Sequence, residues 1–202
     1  MNKLLNEEST PDAQSASVGS FEERMAFKSR VVMLFGEITD TLALATCKRL
    51  IALSEESNAP ITLLISSPGG HVESGDVIHD MIRFISAPVT TVGSGWVASA
   101  AAHIFLSPPK ERRLCLPHTR FMIHQPSGGA GGKATDIAIQ AKEIIRTRER
   151  IARVIAEQTG QPIEKVRQDM ERDYWLTAEE AIDYGIVSRV INHRAELVDS
   201  AL

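Results

Sequence analysis

Short runs of large apolar residues alternate along the chain with longer stretches in which apolar residues recur with a helical period. The short runs are rich in β-branched residues and end at glycine, proline or serine, a pattern that predicts strands. Four such runs span residues 30–38, 61–70, 88–95 and 119–126, and a fifth spans residues 186–191.

Helical periods occupy the segments between and after these runs. The first, at residues 39–57, starts with Thr-Asp and places on one face Ala43, Cys47, Leu50 and Ile51. Further helices are predicted at residues 72–85, 135–157, 162–170 and 177–184. Strands that alternate with helices predict an α/β fold, in which a largely parallel sheet is covered by helices.

The longest predicted helix, residues 135–157, is polar apart from one apolar stripe. At about 1.5 Å per residue it would extend for roughly 33 Å. The stripe follows a seven-residue rhythm that breaks at Arg148, and its members are Ile137, Ala141, Ile144, Ile151 and Ile155. An apolar stripe on a projecting helix predicts a partner that covers it.

The composition is that of an ordinary globular protein, with 43% hydrophobic and 24% charged residues among 202. This length predicts one domain or at most two. A net charge of −4 gives no electrostatic reason to expect a nucleic-acid partner. Cys47 and Cys115 lack metal-ligand spacing, and we interpret them as buried, reduced thiols.

Residues 1–20 are rich in Ser, Glu, Asn and Ala, and we expect a flexible tail or a removable leader there. They hold no apolar core long enough for a secretory signal, and no segment has the roughly 18 consecutive apolar residues of a membrane span. We therefore expect no membrane partner and a cytoplasmic location.

The first candidate for chemistry is Ser99, which stands in the run of small residues GWVASAAAHIF, residues 95–105. It follows a strand and a glycine-containing bend and opens an alanine-rich helical stretch, where backbone N–H groups lack partners. The N–H of Ala100 could there stabilise a developing oxyanion, as a nucleophilic serine requires. The alternative for this segment alone is a small serine that only packs.

The stretch SPGGH, residues 67–71, ends a predicted strand and opens a helix. Gly69 and Gly70 permit positive φ and a close approach of substrate. The N–H of Gly70 is therefore a candidate second oxyanion donor, although a Pro-Gly-Gly sequence is also an ordinary turn.

Three histidines are candidates for the base that a serine nucleophile needs. His124 ends an apolar strand, where open α/β sheets place their active sites. His103 follows Ser99 by four positions on the same predicted helix, away from a substrate at its N-terminus, and His118 follows a proline in a predicted turn. The alternative for His124 is a histidine that only satisfies a strand edge.

An orienting carboxylate is available in the charged stretch RQDMERDYW, residues 167–175. It offers Asp169, Glu171 and Asp173, and sequence chemistry alone does not choose among them. Such a charge run is also typical of a solvated helix end.

Taken together, four stretches closely resemble the proteolytic subunits of the Clp protease, the ClpP family. They are SPGG after ITLLIS, GSGWVASAAA, FMIHQPSGGAGGKATDIAIQAKEI and TGQPIEKVRQDMERDYWLTAEEAIDYGIV. The resemblance covers about residues 31–192, most of the chain. It implies a serine endopeptidase that cleaves unfolded polypeptides.

Position by position, the resemblance assigns the nucleophile to Ser99, the base to His124 and the orienting acid to Asp173. It assigns the oxyanion donors to the amides of Gly70 and Ala100. The order Ser, His, Asp along the chain is no obstacle, because a triad is defined by roles and geometry.

The same resemblance implies a ClpP/crotonase-like fold of repeated β-β-α units. We expect it to form a single peptidase domain over residues 21–202, with a protruding handle helix at about residues 133–158. Substrate would lie extended between the two glycine-rich segments and pair as an added strand. The residues expected to bind it are Gly69, His71, Val72, Gln125, Pro126 and Ser127.

The resemblance also implies an assembly. In this family, handle helices interlock two stacked seven-membered rings, and an AAA+ unfoldase feeds unfolded polypeptide into the chamber that they enclose. Arg172 matches a family arginine that pairs across the ring–ring interface, whereas Leu64 stands where an aromatic usually helps form the unfoldase pocket. No metal or organic cofactor is implied, and ATP would be used by the partner, because the chain has no Walker A loop.

Two other functions are compatible with parts of the pattern. A ClpP-like chain can be a non-catalytic ring subunit that only shapes a mixed assembly. A crotonase-type enzyme would share the oxyanion donors but act on acyl thioesters with carboxylates. The presence of Ser99, His124 and Asp173 together disfavours both.

Overall fold

The structure, a computed structural model, describes residues 21–129 and 131–201, so the tail predicted at residues 1–20 lies outside the described residues. The strands are β1 Val31–Phe35, β2 Ile61–Ser67, β3 Val89–Ala98, β4 Arg113–Cys115, β5 Arg120–Ile123, β6 Tyr174–Leu176 and β7 Arg189–Val190. Helix α1 includes residues 21–28, and the other helices are α2 Asp40–Glu56, α3 Val72–Phe84, α4 Ala100–Phe105, α5 Ala134–Thr159, α6 Ile163–Asp169 and α7 Ala178–Tyr184.

The main sheet is parallel, with strands in the order β1-β2-β3-β4-β7. Parallel neighbours need a crossover connection, and here helices α2, α3 and α4 supply the first three. Residues on one face of β2, among them Leu63 and Ile65, are fully buried under these helices. The parallel sheet with covering helices confirms the predicted α/β fold.

Strand β3 is long enough to pair with two different strands on the same side. Its first half pairs with β4 through residues 91–93, and its second half pairs with β5 through residues 96–98. Between the halves Gly95 has a φ of 63°, and the register with β2 shifts after Ile65. The last residues of β3 therefore leave β4 and lie beside β5.

Two three-residue strands, β4 and β6, are not predicted by the hydrophobic pattern. Strand β6 pairs antiparallel with β5, with Ile123 opposite Tyr174. So short a segment shows too few alternations to be recognised in a sequence. Its consequence is large, because it brings the charged stretch after α6 to the end of β5.

Helix ends follow local capping chemistry. Helix α2 begins where the side chain of Thr39 accepts a hydrogen bond from the N–H of Leu42 at 3.2 Å. Helix α7 begins with a reciprocal capping box between Thr177 and Glu180. Helix α5 ends at Gly160, whose left-handed backbone, with φ of 77°, favours glycine.

Helix α2 buries Ala43, Cys47 and Leu50, as predicted. Ile51 is 41% exposed, so its predicted place on the core face is wrong, and Leu53 is buried instead. Positions 43, 47, 50 and 53 follow the helical period, whereas residue 51 lies about 100° farther round the helix than residue 50.

Helix α5 has two halves with different surroundings. Its second half packs on the core through Ile151 and Ile155, while residues 134–143 are exposed and leave Ile137 and Ile139 at the surface. At about 1.5 Å per residue this helix is roughly 39 Å long. Within residues 21–129 and 131–201, no helix has both the length and the apolar character that crossing a membrane requires.

Candidate active site

Ser99 lies at the turn between β3 and α4 with its backbone in an uncommon conformation. Its φ is 56° and its ψ is −125°, and Arg30 is the other described non-glycine residue with positive φ. Such a conformation is strained, and strain of this kind is typical of functional sites. The turn places the hydroxyl at the start of α4, next to backbone N–H groups that the helix leaves unpaired.

His124 follows β5 and stands between Ser99 and Asp173. Its Nε2 lies 2.8 Å from Ser99 Oγ, and its Nδ1 lies 2.9 Å from Asp173 Oδ1. Since a carboxylate only accepts hydrogen bonds, Nδ1 carries a proton and donates it to Asp173. In the neutral imidazole Nε2 is then free to accept a hydrogen bond from the serine hydroxyl.

Strand pairing sets the position of Asp173. Ile123 is opposite Tyr174 in the β5–β6 pair, so His124 and Asp173, the next residues outward on each strand, lie side by side. The two side chains are 49 positions apart in the sequence, and the pairing of β5 with β6 makes them neighbours.

Of the three carboxylates that the sequence leaves open, Asp173 is the one that faces the imidazole. Asp169 instead accepts a hydrogen bond from the Tyr184 hydroxyl at 2.8 Å. Glu171 pairs with Arg148 of α5 at 2.8 Å. The segment that leads to Asp173 is therefore anchored at two points by the acids that precede it.

Gln125 also anchors this segment. Its N–H donates to the carbonyl of Met170 at 2.7 Å, and its side-chain amide donates to the carbonyl of Glu171 at 3.0 Å. The backbone N–H of Gln125 and one N–H of its side-chain amide are therefore used within the chain, which leaves its backbone carbonyl, Oε1 and the second amide N–H for substrate.

The competing histidines do not contact Ser99 Oγ. His118 is exposed in a turn, and the Nε2 of His103 lies 3.0 Å from Asp76 Oδ1. Sequence reasoning missed Asp76, which lies on α3, because no spacing connects it with α4. A carboxylate three positions before the buried His79, and so next to it on the helix surface, was the available signal.

The N–H groups of Gly70 and Ala100 are both available to an oxyanion. Gly70 forms a parallel bridge with Ile38, in which Ile38 donates to the Gly69 carbonyl at 2.8 Å and accepts from the N–H of His71 at 2.9 Å. In such a bridge the N–H of the central residue points to the opposite side. Ala100 is the first residue of α4, where a helix has no acceptor for the N–H.

Gly69 lies directly against the turn that carries Ser99. A Cβ at this position would lie 2.5 Å from Ser99 Cβ and 2.8 Å from the Ala98 carbonyl oxygen, closer than real contacts allow. Its φ of 96° also favours glycine. The close approach of the two segments therefore depends on the absence of a side chain.

One cavity adjoins Ser99 and His124, and a larger cleft shares Val72 and Pro126 with its wall. The cavity, of about 20 Å³, has a mostly apolar wall, formed by Val72, Ala102, Ile123, Pro126, Ile151 and Ile155. The larger cleft, of about 480 Å³, is lined by residues 70–73, by residues 126–129 and by the first half of α5. The two glycine-rich segments expected to hold substrate thus face one cleft.

Two further predicted residues, His71 and Arg172, have different surroundings. The Nδ1 of His71 is 2.8 Å from the hydroxyl of Ser74, so its ring is fixed at the start of α3. Arg172 is exposed next to Asp173. Among residues 21–129 and 131–201, no cluster of three or more His, Cys, Asp or Glu side chains is arranged to hold a metal ion.

Comparison with known proteins places the chain among proteases. It matches the family described as Clp protease over residues 16–194. A protein from Rhizobium etli named ATP-dependent Clp protease proteolytic subunit 3 is 51% identical over 194 residues, which cover 96% of this chain and 100% of the relative. A protein of the same name from Rhizobium meliloti is 54% identical over 180 residues, which cover 89% of this chain and 92% of the relative.

The fold has a close counterpart among solved structures. A ClpP1 mutant from Listeria monocytogenes superposes with a TM-score of 0.82 at 51% sequence identity. The match covers 87% of this chain and 99% of that chain. The similarity therefore extends over the whole length of the solved chain and includes the region of the candidate site.

Proposed function

The chain belongs to the Clp protease family, as its motifs predict, and from that premise we propose that it is a serine endopeptidase subunit whose nucleophile is Ser99. The observation that carries the proposal is the continuous hydrogen-bonded chain from Ser99 through His124 to Asp173, with distances of 2.8 and 2.9 Å. A serine hydroxyl becomes reactive when a base removes its proton and a third group orients that base.

In the first half of the reaction, Ser99 Oγ attacks the carbonyl carbon of a peptide bond while His124 Nε2 takes the hydroxyl proton. Asp173 keeps the Nδ1 proton in place and stabilises the imidazolium that forms. The N–H groups of Gly70 and Ala100 donate to the oxygen that becomes negative. These donors are fixed by main-chain structure, so they need no rearrangement when charge develops.

In the second half, the imidazolium of His124 protonates the leaving amine, and the peptide bond breaks to leave an ester on Ser99. Water then attacks the ester, with His124 again accepting a proton and later returning it to Ser99 Oγ. The products are two shorter peptides, and the side chains return to their starting protonation states.

We assign substrate to the cleft between residues 70–73 and 126–129. An extended peptide in this cleft can hydrogen-bond through its main chain, which gives affinity without demanding particular side chains. The small apolar cavity beside Ser99 lies where the side chain before the cleaved bond would enter. These features suit an enzyme that accepts many unfolded sequences.

We further propose that two seven-membered rings of this chain enclose the sites. The exposed first half of α5, with Ile137 and Ile139 at its surface, is the part that would contact the other ring. Arg172, exposed beside Asp173, would connect assembly with the orientation of the acid. An ATP-dependent unfoldase of the Clp type would supply substrate, and the chain itself would need no cofactor.

We expect this assembly in the cytoplasm. The thiols of Cys47 and Cys115 are free and buried, which suits a reducing compartment. Burial raises the pKa of the Cys115 thiol to about 12, so this thiol stays protonated and unreactive.

A non-catalytic ring subunit is not favoured, because a chain without activity has no use for the aligned side chains of Ser99, His124 and Asp173. The crotonase-type alternative gains no support either, since the group facing Ser99 Oγ is an imidazole and not a carboxylate.

A fluorophosphonate probe tests the proposal, because it forms a stable ester only with an activated serine. The assembled protein should carry one adduct per subunit, on Ser99. Its cleavage of a fluorogenic peptide should fall in proportion to the fraction of subunits labelled. Ser99→Ala should lower turnover by roughly 10⁴-fold or more and abolish labelling.

Ser86→Ala is a matched control, because Ser86 is exposed and remote from the cavities at Ser99. It should label and cleave like the unmodified chain. Labelling on a serine other than Ser99, or unchanged cleavage by Ser99→Ala, would refute the assignment.

A further inference from the structure

A second polar cluster lies next to the turn that carries Ser99, and its histidine, His103, also lines the small cavity beside Ser99. His103 of α4 is buried, and its Nε2 lies 3.0 Å from Asp76 Oδ1 on α3. The same carboxylate accepts two hydrogen bonds from Arg150 of α5, each at 2.6 Å. Three side chains thus connect three helices, and we call them the Arg150–Asp76–His103 link.

His79 completes the surroundings of His103. The two imidazole rings stack with centroids 4.3 Å apart and planes 9° apart, and the Nδ1 of His79 is 3.0 Å from the His103 carbonyl oxygen. Burial and the neighbouring His103 lower the pKa of His79 to about 4, so its ring is neutral at physiological pH. Nδ1 of His79 therefore donates to that carbonyl.

The charge on Asp76 determines which nitrogen of His103 carries a proton. Burial raises the pKa of Asp76, but hydrogen bonds from His103 and Arg150 outweigh this effect and bring it down to about 2. An ionised carboxylate can only accept, so Nε2 of His103 is protonated and donates to it. The ring of His103 is consequently fixed in both orientation and tautomer.

His103 is directly connected with the turn of the nucleophile. The N–H of His103 and the N–H of Ala102 both donate to the Ser99 carbonyl, at 3.3 and 2.9 Å. Helix α3 also approaches this turn, because a Cβ on Gly75 would lie only 3.2 Å from Ala100 Cβ. The first turn of α4 is therefore held by α3 at both of its ends.

Stability alone does not explain the composition of the link. Its outer pair is partly exposed, with 21% of the Asp76 side chain and 46% of the Arg150 side chain accessible, so water screens part of its attraction. The Nδ1 of His103 has no hydrogen-bond partner among the described residues, which is destabilising. Apolar side chains would fill this space without that cost, but they would not fix an orientation.

We propose that Arg150, Asp76 and His103 act together as positioning residues, which hold the first turn of α4 in the orientation that the reaction requires. The proposal rests on Ser99 being the nucleophile, since that turn carries both its hydroxyl and the Ala100 N–H. Because Arg150 belongs to α5, the docking of this helix on the core is thereby connected with turnover.

Two variants test the link. His103→Phe keeps a planar ring and removes the Nε2 donor, and Arg150→Met removes the guanidinium that donates to both oxygens of Asp76. Each variant should lower kcat by roughly 10- to 100-fold, because small misplacements of reacting groups are costly. Arg150 does not line the cavity beside Ser99, so Arg150→Met should change KM by less than about twofold. Since the residues act as one unit, the kcat of the double variant should be no lower than that of the less active single variant.

The rate is expressed per active subunit, counted by complete labelling of Ser99 with the fluorophosphonate on the assembled protein. This readout removes any loss that comes only from unfolded subunits. Arg167→Met is the matched control, because it removes another ion pair of α5, with Glu149 at 2.7 Å, away from α4. It should keep the kcat of the unmodified chain.

Unchanged kcat per labelled subunit in His103→Phe and Arg150→Met would overturn the proposal, and so would losses that multiply in the double variant. If His103→Phe does not assemble, Asp76→Asn decides, since it preserves shape but removes the charge that holds Arg150. Normal kcat in Asp76→Asn would then overturn it. Failure of the unmodified chain to label would refute the nucleophile assignment instead.

Discussion

The backbone N–H of Ser99 donates a hydrogen bond to the carbonyl oxygen of Met122 at a distance of 2.9 Å. This bond continues the pairing of β3 with β5, in which Ala98 is opposite Met122, by one residue beyond the end of β3. Because His124 comes two residues after Met122, main-chain bonds set the distance between the hydroxyl and the imidazole. Substitutions of the site side chains should therefore alter chemistry and leave the fold intact.

Asp173→Asn should lower kcat with little change in KM. An asparagine amide can donate to Nδ1 of His124 and so favour the tautomer with the proton on Nε2, which cannot accept from Ser99. The Asp173 side chain is 61% exposed, so water can partly replace it. We expect a loss of roughly 10²- to 10⁴-fold in steady-state cleavage of a fluorogenic peptide.

Asp183→Asn is the control for this substitution, because it removes the same charge from an exposed position of α7. It should retain normal kcat. Equal activity of the Asp173 and Asp183 variants would show that the orientation of His124 does not depend on the carboxylate.

The parallel part of the sheet could be predicted from the sequence, because β1, β2 and β3 are apolar runs long enough to show their period. The position of Asp173 could not be predicted from the chain's own chemistry. Asp169 and Glu171 also carry carboxylates, and the choice depends on the register of β6, a strand of three residues. The resemblance to a known family supplied Asp173 where local pattern could not.

Gly69→Ala should damage both stability and activity. The added Cβ would lie 2.5 Å from Ser99 Cβ, and alanine at a φ of 96° is strained. Left-handed strain and overpacking together predict a loss of roughly 2 to 5 kcal/mol in the free energy of unfolding. Urea denaturation at fixed protein concentration measures this loss, and kcat per labelled subunit measures the displacement of Ser99.

Gly131→Ala provides the comparison for Gly69→Ala. A Cβ on Gly131 would meet no atom within 4 Å, and its φ lies outside the range that favours glycine. This variant should match the unmodified chain in both measurements. A Gly69→Ala protein as stable and active as Gly131→Ala would mean that the two segments can separate freely.

The Arg150–Asp76–His103 link could not be predicted from the sequence. His103 was a visible candidate, because it follows Ser99 by one helical turn. Its partners Asp76 and Arg150 lie on other helices, 27 and 47 positions from His103, counted from the sequence numbers. Helix packing alone brings them together, and single-sequence periodicity gives no information on which faces of separate helices meet.

The buried ring of His79 predicts a loss of stability in mild acid. Burial and His103 lower its pKa from 6.5 to about 4 in the folded chain. Between these values the unfolded chain binds more protons, so the free energy of unfolding falls as the pH is lowered. From about pH 7 to about pH 5 this one group should contribute a loss on the order of 1 to 2 kcal/mol.

Urea denaturation of His79→Phe at the same two pH values separates this effect from other titrations. The variant should lose less stability between them than the unmodified chain, whatever its stability at neutral pH. His118→Gln, a change at an exposed histidine, should keep the original pH dependence. If His79→Phe and the unmodified chain lose the same free energy of unfolding between the two pH values, His79 is not the source of the acid sensitivity.

The stability of the fold should also depend on the geometry of one buried cation, the guanidinium of Arg113. The side chain is 1% exposed, and burial lowers its pKa to about 10, so it is still charged at neutral pH. It donates to the Pro108 carbonyl at 2.8 Å, to the Gln158 carbonyl at 2.8 Å and to the Gln158 side chain at 2.6 Å. The guanidinium thus joins β4 to the last turn of α5.

Arg113→Met should lower the free energy of unfolding by roughly 2 to 5 kcal/mol, because it leaves buried acceptors unpaired. Arg113→Lys should be more stable than Arg113→Met but less stable than the unmodified chain, since one compact ammonium cannot reach acceptors on both Pro108 and Gln158. Arg112→Met, at a neighbouring and more exposed arginine, should change stability by less than about 0.5 kcal/mol. Full stability in Arg113→Lys would show that charge alone suffices, and that the planar fork does not hold the end of α5 against the sheet.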